Sequence, residues 1–151
     1  MKIVLKALAA VIRETNGQLE LLAFQHPFAG VQIPKGTIEP NETVQAATIR
    51  ELKEESGLEI GHTPQLIGKW ERIVGGGPNE DGPLEINLWH ICILKTRERH
   101  PENWQHEAKG SSAEDGLIFN FFWLPIDHNL AEKLEPIFDP TIKLIKEHYF
   151  N

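Results

Sequence analysis

Apolar residues recur along the chain in short runs bounded by polar or turn-forming residues, a pattern that is typical of β-strands. The runs at 3–12 and 18–25 flank Asn16-Gly17, a dipeptide that favours a tight hairpin turn. Further extended segments are predicted at 31–34, 64–74, 84–94 and 117–124. Two segments between them, 75–82 and 97–116, are glycine-rich or polar and predict loops.

A helical spacing replaces this pattern twice, at 43–56 and at 140–148. Asn41 is a candidate N-cap of the first helix, and Gly57 is suited to a left-handed C-terminal cap. Within that helix, Ile49 and Leu52 are predicted to face the core. Strands that alternate with helices predict a mixed α/β sandwich.

Length, charge and cysteine content narrow the class of protein. The chain has 151 residues, which predicts one domain over 1–151, and its formal charge is −7, which argues against a general nucleic-acid binder. Cys92 is the only cysteine, and its apolar neighbours predict a core thiol. No apolar run is long enough to cross a bilayer. A cytoplasmic enzyme with a small-molecule partner is expected, and the oligomeric state stays open.

The candidate chemistry lies in the first helix. Glu51, Glu54 and Glu55 are spaced i, i+3 and i+4, so they share one stripe of the helix surface. Like charges at these spacings are destabilising, and the helix C-terminus disfavours negative charge. A divalent cation relieves this repulsion, because hard cations prefer carboxylate oxygens. Arg50 is placed to pair with a carboxylate and hold it.

Glutamates on a helix usually form a solvated face, but the surrounding residues make this stretch more specific. It runs from Gly36 through five residues to Glu42, then seven residues to Arg50-Glu51-Leu52. After one further residue come Glu54-Glu55, and after another Gly57-Leu58. These residues match the signature of the Nudix hydrolases at every defined position, and the chain therefore resembles that family.

The resemblance implies a Nudix-type α/β/α sandwich with a mixed sheet and hydrolysis of a nucleoside diphosphate linked to another moiety. It implies Mg²⁺ or Mn²⁺ bound by the carboxylates of Glu51, Glu54 and Glu55 and by the carbonyl of Gly36. Arg50 would orient a catalytic carboxylate. Glu42 and Gly57 would have structural roles in the motif.

Members of this family differ in which carboxylate removes the proton from the attacking water. Glu51 is one candidate here. The late polar loop offers three others, Glu107, Glu114 and Asp115. The sequence does not choose among them, nor does it give the number of metal ions.

Substrate contacts are predicted at two residues. Lys35 directly precedes Gly36, so its ammonium can reach a substrate phosphate. Trp104 lies in the polar loop, where it can stack on a base, whereas Trp89 and Trp123 lie in apolar strands and are predicted core residues. Weaker phosphate-binding candidates are Lys69, Arg72 and Arg97.

The substrate is the least constrained property. Pro34-Lys35-Gly36 looks like the opening found in enzymes that act on dinucleoside polyphosphates, but the tyrosine that such enzymes often carry downstream is absent. The chain's only tyrosine is Tyr149. The proline that marks ADP-ribose hydrolases is also missing, since Pro78 comes late. A dinucleoside polyphosphate or a nucleoside triphosphate, deoxy or not, is therefore expected. The alternatives are an ADP-ribose or nucleotide-sugar pyrophosphatase and a catalytically silent ligand sensor.

Overall fold

One mixed β-sheet lies between two helices in the computed structural model, which describes residues 1–80, 82–111 and 113–150. Within those residues the strands are β1 (Lys2–Thr15), β2 (Gln18–His26), β3 (Gly30–Gln32), β4 (Lys35–Thr37), β5 (Gln65–Val74), β6 (Glu85–Lys95), β7 (Asn103–Glu107) and β8 (Ile118–Pro125). The helices are α1 (Val44–Ser56) and α2 (Asp139–Phe150). Two 3₁₀ turns, Leu130–Lys133 and Pro136–Phe138, precede α2.

The strand order across the sheet is β5-β6-β1-β2-β8-β7, with β3 paired to β2 and β4 paired to β1. β1 and β6 run parallel, from Lys2 opposite Glu85 to Ile12 opposite Lys95. The remaining pairs are antiparallel. This register brings the N-terminal half of β1 and the start of β6 to the same end of the sheet as β4, which directly precedes the segment leading into α1.

Both faces of β1, a central strand of the sheet, are buried. Ile142 and Ile145 of α2 pack on the face that includes Leu8 and Ile91. Leu52 of α1 packs on the opposite face with core residues of four strands. Burial on both faces explains why β1 reads as a nearly continuous apolar run rather than a strict alternation. The predicted α/β/α sandwich with a mixed sheet is confirmed.

Several local predictions are also confirmed. Asn16 and Gly17 both have positive φ, 51° and 80°, as a two-residue hairpin turn of the favoured type requires. Cys92, Trp89 and Trp123 lie in the core, with exposures of 0%, 3% and 8%. The two helices occur where the periodicity places them.

Other predictions were wrong. The segment predicted as one loop at 97–116 contains β7, an edge strand whose polar residues hide the alternation of its half-buried Trp104 and His106. The short strand β4 was not predicted. Ile49 is 40% exposed, because the buried stripe of α1 runs through Ala47, Glu51 and Glu55 and leaves Ile49 outside it.

Two residues of the predicted loops, Asp81 and Ser112, lie outside the described residues. Within the described part of the chain, neither helix has the length and apolar character needed to cross a bilayer.

Candidate active site

The caps of α1 fix the direction of its carboxylates. The Thr43 hydroxyl accepts a hydrogen bond from the Ala46 N–H at 3.0 Å, so Thr43 is the N-cap. The predicted cap, Asn41, instead has a φ of 66° in the turn before the helix. Gly57 has a φ of 79° and donates its N–H to the Lys53 carbonyl at 2.9 Å. A left-handed residue of this kind ends the helix directly after the acidic stripe.

Glu55 is the most buried carboxylate of the stripe, with 3% exposure. Its Oε1 accepts the backbone N–H of Lys35 at 2.7 Å, and its Oε2 has no hydrogen-bond partner among the described residues. Burial raises the pKa of Glu55 well above its usual range, and the negative charge of Glu114 adds to this effect, while Lys35 opposes it. A buried acceptor left unpaired is costly, so this oxygen marks a place for a cation or a donor.

Arg50 joins the remaining carboxylates of the motif. Its Nη1 donates to Glu51 at 2.7 Å and to Glu54 at 3.2 Å, while its Nε and Nη2 form a two-pronged contact with Glu42 at 2.8 and 2.9 Å. The Arg50 contact lowers the pKa of Glu42. Nη2 also donates to the Thr37 carbonyl at 2.9 Å, which links α1 to β4. Paired contacts of this kind fix both position and orientation.

Glu51 lies directly against the backbone of Gly36. A Cβ atom added at Gly36 would overlap the Glu51 carboxylate, so only glycine leaves that carboxylate in place. Burial raises the pKa of Glu51, although the bond from Arg50 opposes this. Gly36 therefore permits the close approach of β4 to the acidic stripe.

The segment that follows β7 packs against the C-terminal end of α1. The Lys109 N–H donates to the Glu54 carbonyl at 3.1 Å, and a Cβ at Gly110 would overlap the Glu54 carboxylate. This docking brings Glu114 into the same cavity as Glu51. Glu107 and Asp115, the two other loop candidates, are exposed and do not line that cavity.

His26 of β2 lies beside the Glu114 carboxylate. The Nδ1 atom of His26 accepts the Phe28 N–H at 3.0 Å, so the ring proton lies on Nε2. Nε2 lies 3.5 Å from the Glu114 carboxylate. His26 is 9% exposed and its ring lies 5.1 Å from the ring of Phe119, so its position is fixed by packing.

Basic residues from three strands line the same cavity, which has a volume of about 450 Å³. They are Lys6 of β1, Lys35 of β4 and Arg72 of β5. Burial lowers the pKa of Lys6, and the nearby positive charge of Lys35 lowers it further. Together with Arg50 of α1, the cavity thus places four cations beside the acidic stripe, which suits an anionic substrate bound next to a metal ion.

Trp104, a predicted base-stacking residue, has a different setting. Its ring stacks on Phe121 with centroids 5.2 Å apart, and its Nε1 donates to the Ser56 carbonyl at 3.0 Å. It does not line the cavity described above. Lys69 and Arg97 also lie outside it. Trp104 therefore anchors the edge strand β7 to the end of α1.

Four residues in or beside the cavity were not predicted as site residues: Lys6, His26, Asn87 and Gly110. In the sequence, Lys6 is only a charge that interrupts an apolar run. It lines the cavity because β4 and β6 both pair with β1, the strand that contains it. His26, Asn87 and Gly110 depend on contacts between segments far apart in the chain, which no local spacing reveals.

The donor set around Glu55 fits a hard divalent cation. Glu51, Glu54 and Glu55 share one stripe of α1, the Glu51 carboxylate lies against the Gly36 backbone, and Glu55 Oε2 has no partner among the described residues. Across residues 1–80, 82–111 and 113–150, no three His, Cys, Asp or Glu side chains are already gathered as a metal cage. Arg50 instead pairs with Glu51 and Glu54 and supplies the positive charge between them.

The family profile of the NUDIX domain matches residues 5–145. The chain belongs to the Nudix family. It is a Nudix hydrolase, and an Escherichia coli (strain K12) protein named 8-oxo-dGTP diphosphatase is 26% identical to it over 145 residues, which are 94% of this chain and 96% of the relative.

Solved Nudix structures show the same fold. The Caenorhabditis elegans Ap4A hydrolase superposes with a TM-score of 0.61 at 18% identity, covering 97% of this chain and 96% of that one. The NUDIX domain of Shewanella oneidensis NrtR, solved with ADP ribose, gives a TM-score of 0.64 at 13% identity, covering 98% and 89%. NrtR has also been solved with a 27mer DNA, so Nudix folds occur in DNA-bound proteins as well.

Proposed function

We propose that this Nudix hydrolase uses Mg²⁺ or Mn²⁺ to cleave a diphosphate linkage in a nucleoside diphosphate joined to another moiety. The observation that carries the proposal is the Glu55 carboxylate, which is 3% exposed and leaves Oε2 without a partner among the described residues. A carboxylate buried in this way beside Glu51 and Glu114 is costly unless a cation pairs with it.

Glu51, Glu54, Glu55 and the Gly36 carbonyl would hold the cation. When bound, the cation neutralises charge on the diphosphate and makes a ligated water more acidic. Arg50 keeps Glu51 and Glu54 oriented through its bonds to both and through its anchor to Glu42.

Lys35, Lys6 and Arg72 bind the phosphates in this proposal. All three line the cavity that contains Glu51 and Glu114. Positive groups that face the phosphates stabilise the charge that spreads over the phosphate oxygens during transfer. Lys35 comes directly before Gly36, which lies against the Glu51 carboxylate, so the position of Lys35 is linked to that of the acidic stripe.

Glu114 is the proposed general base. Glu51 is a weaker base because its Oε1 already accepts a short bond from Arg50, at 2.7 Å. Among the described residues no ion pair joins Glu114 to Arg50, and the Nε2–H of neutral His26 lies 3.5 Å from the Glu114 carboxylate. A general base must be within reach of the attacking water and free to accept its proton. His26 then acts as a positioning residue.

Replacing His26 with phenylalanine is expected to lower kcat by about 10- to 100-fold, the usual range for an outer partner of a catalytic ligand. Phenylalanine keeps the contact with Phe119 but removes the donor that orients Glu114. Steady-state kinetics with Mg²⁺ measure the effect, and KM should change little because His26 does not touch the cavity's cations.

A glutamine at the same position provides the control. Its side-chain N–H can replace the Nε2–H of His26, so the His26→Gln variant should recover most of the lost kcat. Equal loss of kcat in both variants, with unchanged melting temperatures, would mean that the contact with Glu114 does not matter for catalysis.

We further propose that residues 1–151 act as one catalytic domain in the cytoplasm on a dinucleoside polyphosphate or a nucleoside triphosphate, and not on nucleic acid. The names of the Escherichia coli and Caenorhabditis elegans relatives support this substrate class. The net charge of −7 opposes binding to a nucleic-acid backbone.

A substrate panel tests the proposed function. The protein is incubated with Mg²⁺ and dinucleoside polyphosphates, nucleoside triphosphates, ADP-ribose and nucleotide sugars, beside the Glu54→Gln variant. Turnover of one class at least about 100-fold above the variant is expected, because Glu54 is a proposed metal ligand. If the parent protein exceeds the variant on no compound, the enzyme hypothesis fails and the ligand-sensor alternative is favoured. Preference for ADP-ribose or a nucleotide sugar would replace the proposed substrate class.

A further inference from the structure

Two buried polar side chains of β6 lack hydrogen-bond partners in the described part of the chain. Asn87 is 4% exposed and leaves Oδ1 unpaired, and Trp89 is 3% exposed and leaves its Nε1–H unpaired. Both residues line the cavity that contains Glu51, Glu114 and the basic residues. Native proteins pair the large majority of such atoms, so an unpaired acceptor and an unpaired donor beside one cavity require an explanation.

The two side chains lie on the same face of the sheet because they are two residues apart on one strand. The Trp89 ring is held by Trp70, which stacks on it at 5.1 Å, and by the edge of Phe138 at 6.1 Å. The indole is therefore fixed by packing, and its N–H cannot turn freely to find another partner.

The amide of Asn87 is fixed as well. Its Nδ2 donates to the Glu85 carboxylate at 3.2 Å, which leaves Oδ1 as the free acceptor. Glu85 lines the cavity too and is half-buried. This part of the cavity thus offers one donor, the indole N–H, and two acceptors, the Asn87 amide oxygen and the Glu85 carboxylate.

Two sets of residues line the cavity, and they adjoin where the Lys35 ammonium lies 5.8 Å from the Trp89 ring. Glu51 and Glu114 mark the part proposed above for the diphosphate and the cation. Glu85, Asn87 and Trp89 lie along β6 and combine hydrogen-bonding groups with the apolar side chain of Ile137. Apolar walls with a few fixed polar groups are typical of sites that bind a planar organic group.

We propose that Glu85, Asn87 and Trp89 bind the base of the nucleotide substrate and favour a guanine-type base. Guanine presents a carbonyl acceptor for the indole N–H, and a ring N–H and an amino group as donors for Asn87 and Glu85. Adenine presents an amino group beside a bare ring nitrogen, which leaves one of the two protein acceptors unpaired. This inference rests on the proposed function, because it assumes that the diphosphate belongs to a nucleotide.

Kinetics with GTP, ITP and ATP test the pattern. A site with unpaired buried acceptors rejects the wrong base, so kcat/KM for GTP should exceed that for ATP by at least about tenfold. ITP keeps the carbonyl and the ring N–H of guanine but lacks the amino group, so it should fall between the two. Equal kcat/KM for GTP and ATP overturns the proposal.

Two variants test which residues cause the preference for GTP over ATP. Asn87→Leu removes the acceptor at similar volume, and Trp89→Phe removes the N–H while keeping a ring against Trp70. Each should raise KM for GTP by about 10- to 100-fold with little change in kcat, and should raise KM for ATP by a smaller factor. Melting temperatures near that of the parent show that the variants are folded. Unchanged KM for GTP in folded Asn87→Leu contradicts the proposal.

Binding measurements separate this inference from the proposed function. Calorimetric titration of GTP and ATP into the Glu54→Gln variant needs no turnover. Tighter binding of GTP, lost on adding Asn87→Leu, supports base recognition even if the substrate panel shows no hydrolysis. Equal binding of GTP and ATP overturns it even if the panel confirms a pyrophosphohydrolase.

Discussion

Replacing Glu55 with glutamine is expected to lower kcat by about a thousandfold or more, because a proposed metal ligand contributes several kcal/mol to the transition state. The substitution keeps the size of the side chain and the acceptor for the Lys35 N–H, which Glu55 Oε1 now provides at 2.7 Å. It removes the charge at Oε2, the atom that has no partner among the described residues. Initial rates on the best substrate of the panel, over a range of Mg²⁺ concentrations, measure the loss.

The stability of the Glu55→Gln variant without metal, in contrast, should rise. Without metal, burial raises the pKa of Glu55 and the charges of Glu114 and Glu51 add to this effect, and glutamine avoids both the buried charge and the repulsion. Relief of about 1 kcal/mol corresponds to a rise of about 2–4 °C in melting temperature for a chain of this size. Mg²⁺ should raise the melting temperature of the parent, because a ligand that binds the folded state stabilises it. It should have little effect on Glu55→Gln.

Glu59 provides a matched control. It is an exposed carboxylate just beyond α1, paired with Lys53 at 2.7 Å. Glu59→Gln makes the same chemical change at an exposed position, so it should leave both activity and the Mg²⁺ response unchanged. If Mg²⁺ stabilises Glu55→Gln as strongly as it stabilises the parent and Glu59→Gln, Glu55 is not a metal ligand.

The acidic stripe could be predicted from the sequence because the spacing of its residues along one helix determines it. Three carboxylates at i, i+3 and i+4 share a helix face in any α-helix, whatever the helix packs against. The cap at Gly57 is equally local, since a left-handed residue strongly favours glycine. The Asn16-Gly17 hairpin is predictable for the same reason.

The parallel pairing of β1 with β6 could not be predicted in this way. It depends on which apolar strands find each other across long stretches of chain, and apolar runs with similar composition do not specify a partner. This pairing places Lys6 opposite Trp89 and forms one wall of the cavity. Sequence patterns therefore predicted the acidic stripe but not the residues that line the rest of the cavity.

Edge strands were missed for a related reason. β7 is polar along its length, and only the docking of Trp104 on Phe121 and Ser56 shows that it belongs to the sheet. The same docking carries the following loop back to α1, where Glu114 enters the cavity. The choice among Glu107, Glu114 and Asp115 was thus a question of tertiary structure, which could not be answered from the spacing of three loop carboxylates.

Substituting Gly36 with alanine is expected to lower kcat/KM by about 100-fold, the effect of displacing a catalytic group by about 1 Å. Gly36 is not in the left-handed region, so alanine causes no backbone strain there. The added methyl group would overlap the Glu51 carboxylate, which is buried and bonded to Arg50 and cannot move freely. The loss therefore comes from displacement of Glu51, and the apparent affinity for Mg²⁺ should fall with it.

The same substitution at Gly61 separates this effect from the general cost of replacing glycine. A Cβ at Gly61 meets no atom within 4 Å, and its φ is also not positive. Gly61→Ala should keep parental activity, with a melting temperature equal to or slightly above the parent's. Gly36→Ala should stay folded, because overpacking at one buried contact costs about 1–3 kcal/mol. If folded Gly36→Ala hydrolyses substrate as fast as Gly61→Ala, then close approach of Gly36 to Glu51 is not needed for catalysis, and the assignment of Gly36 to the cation site fails with it.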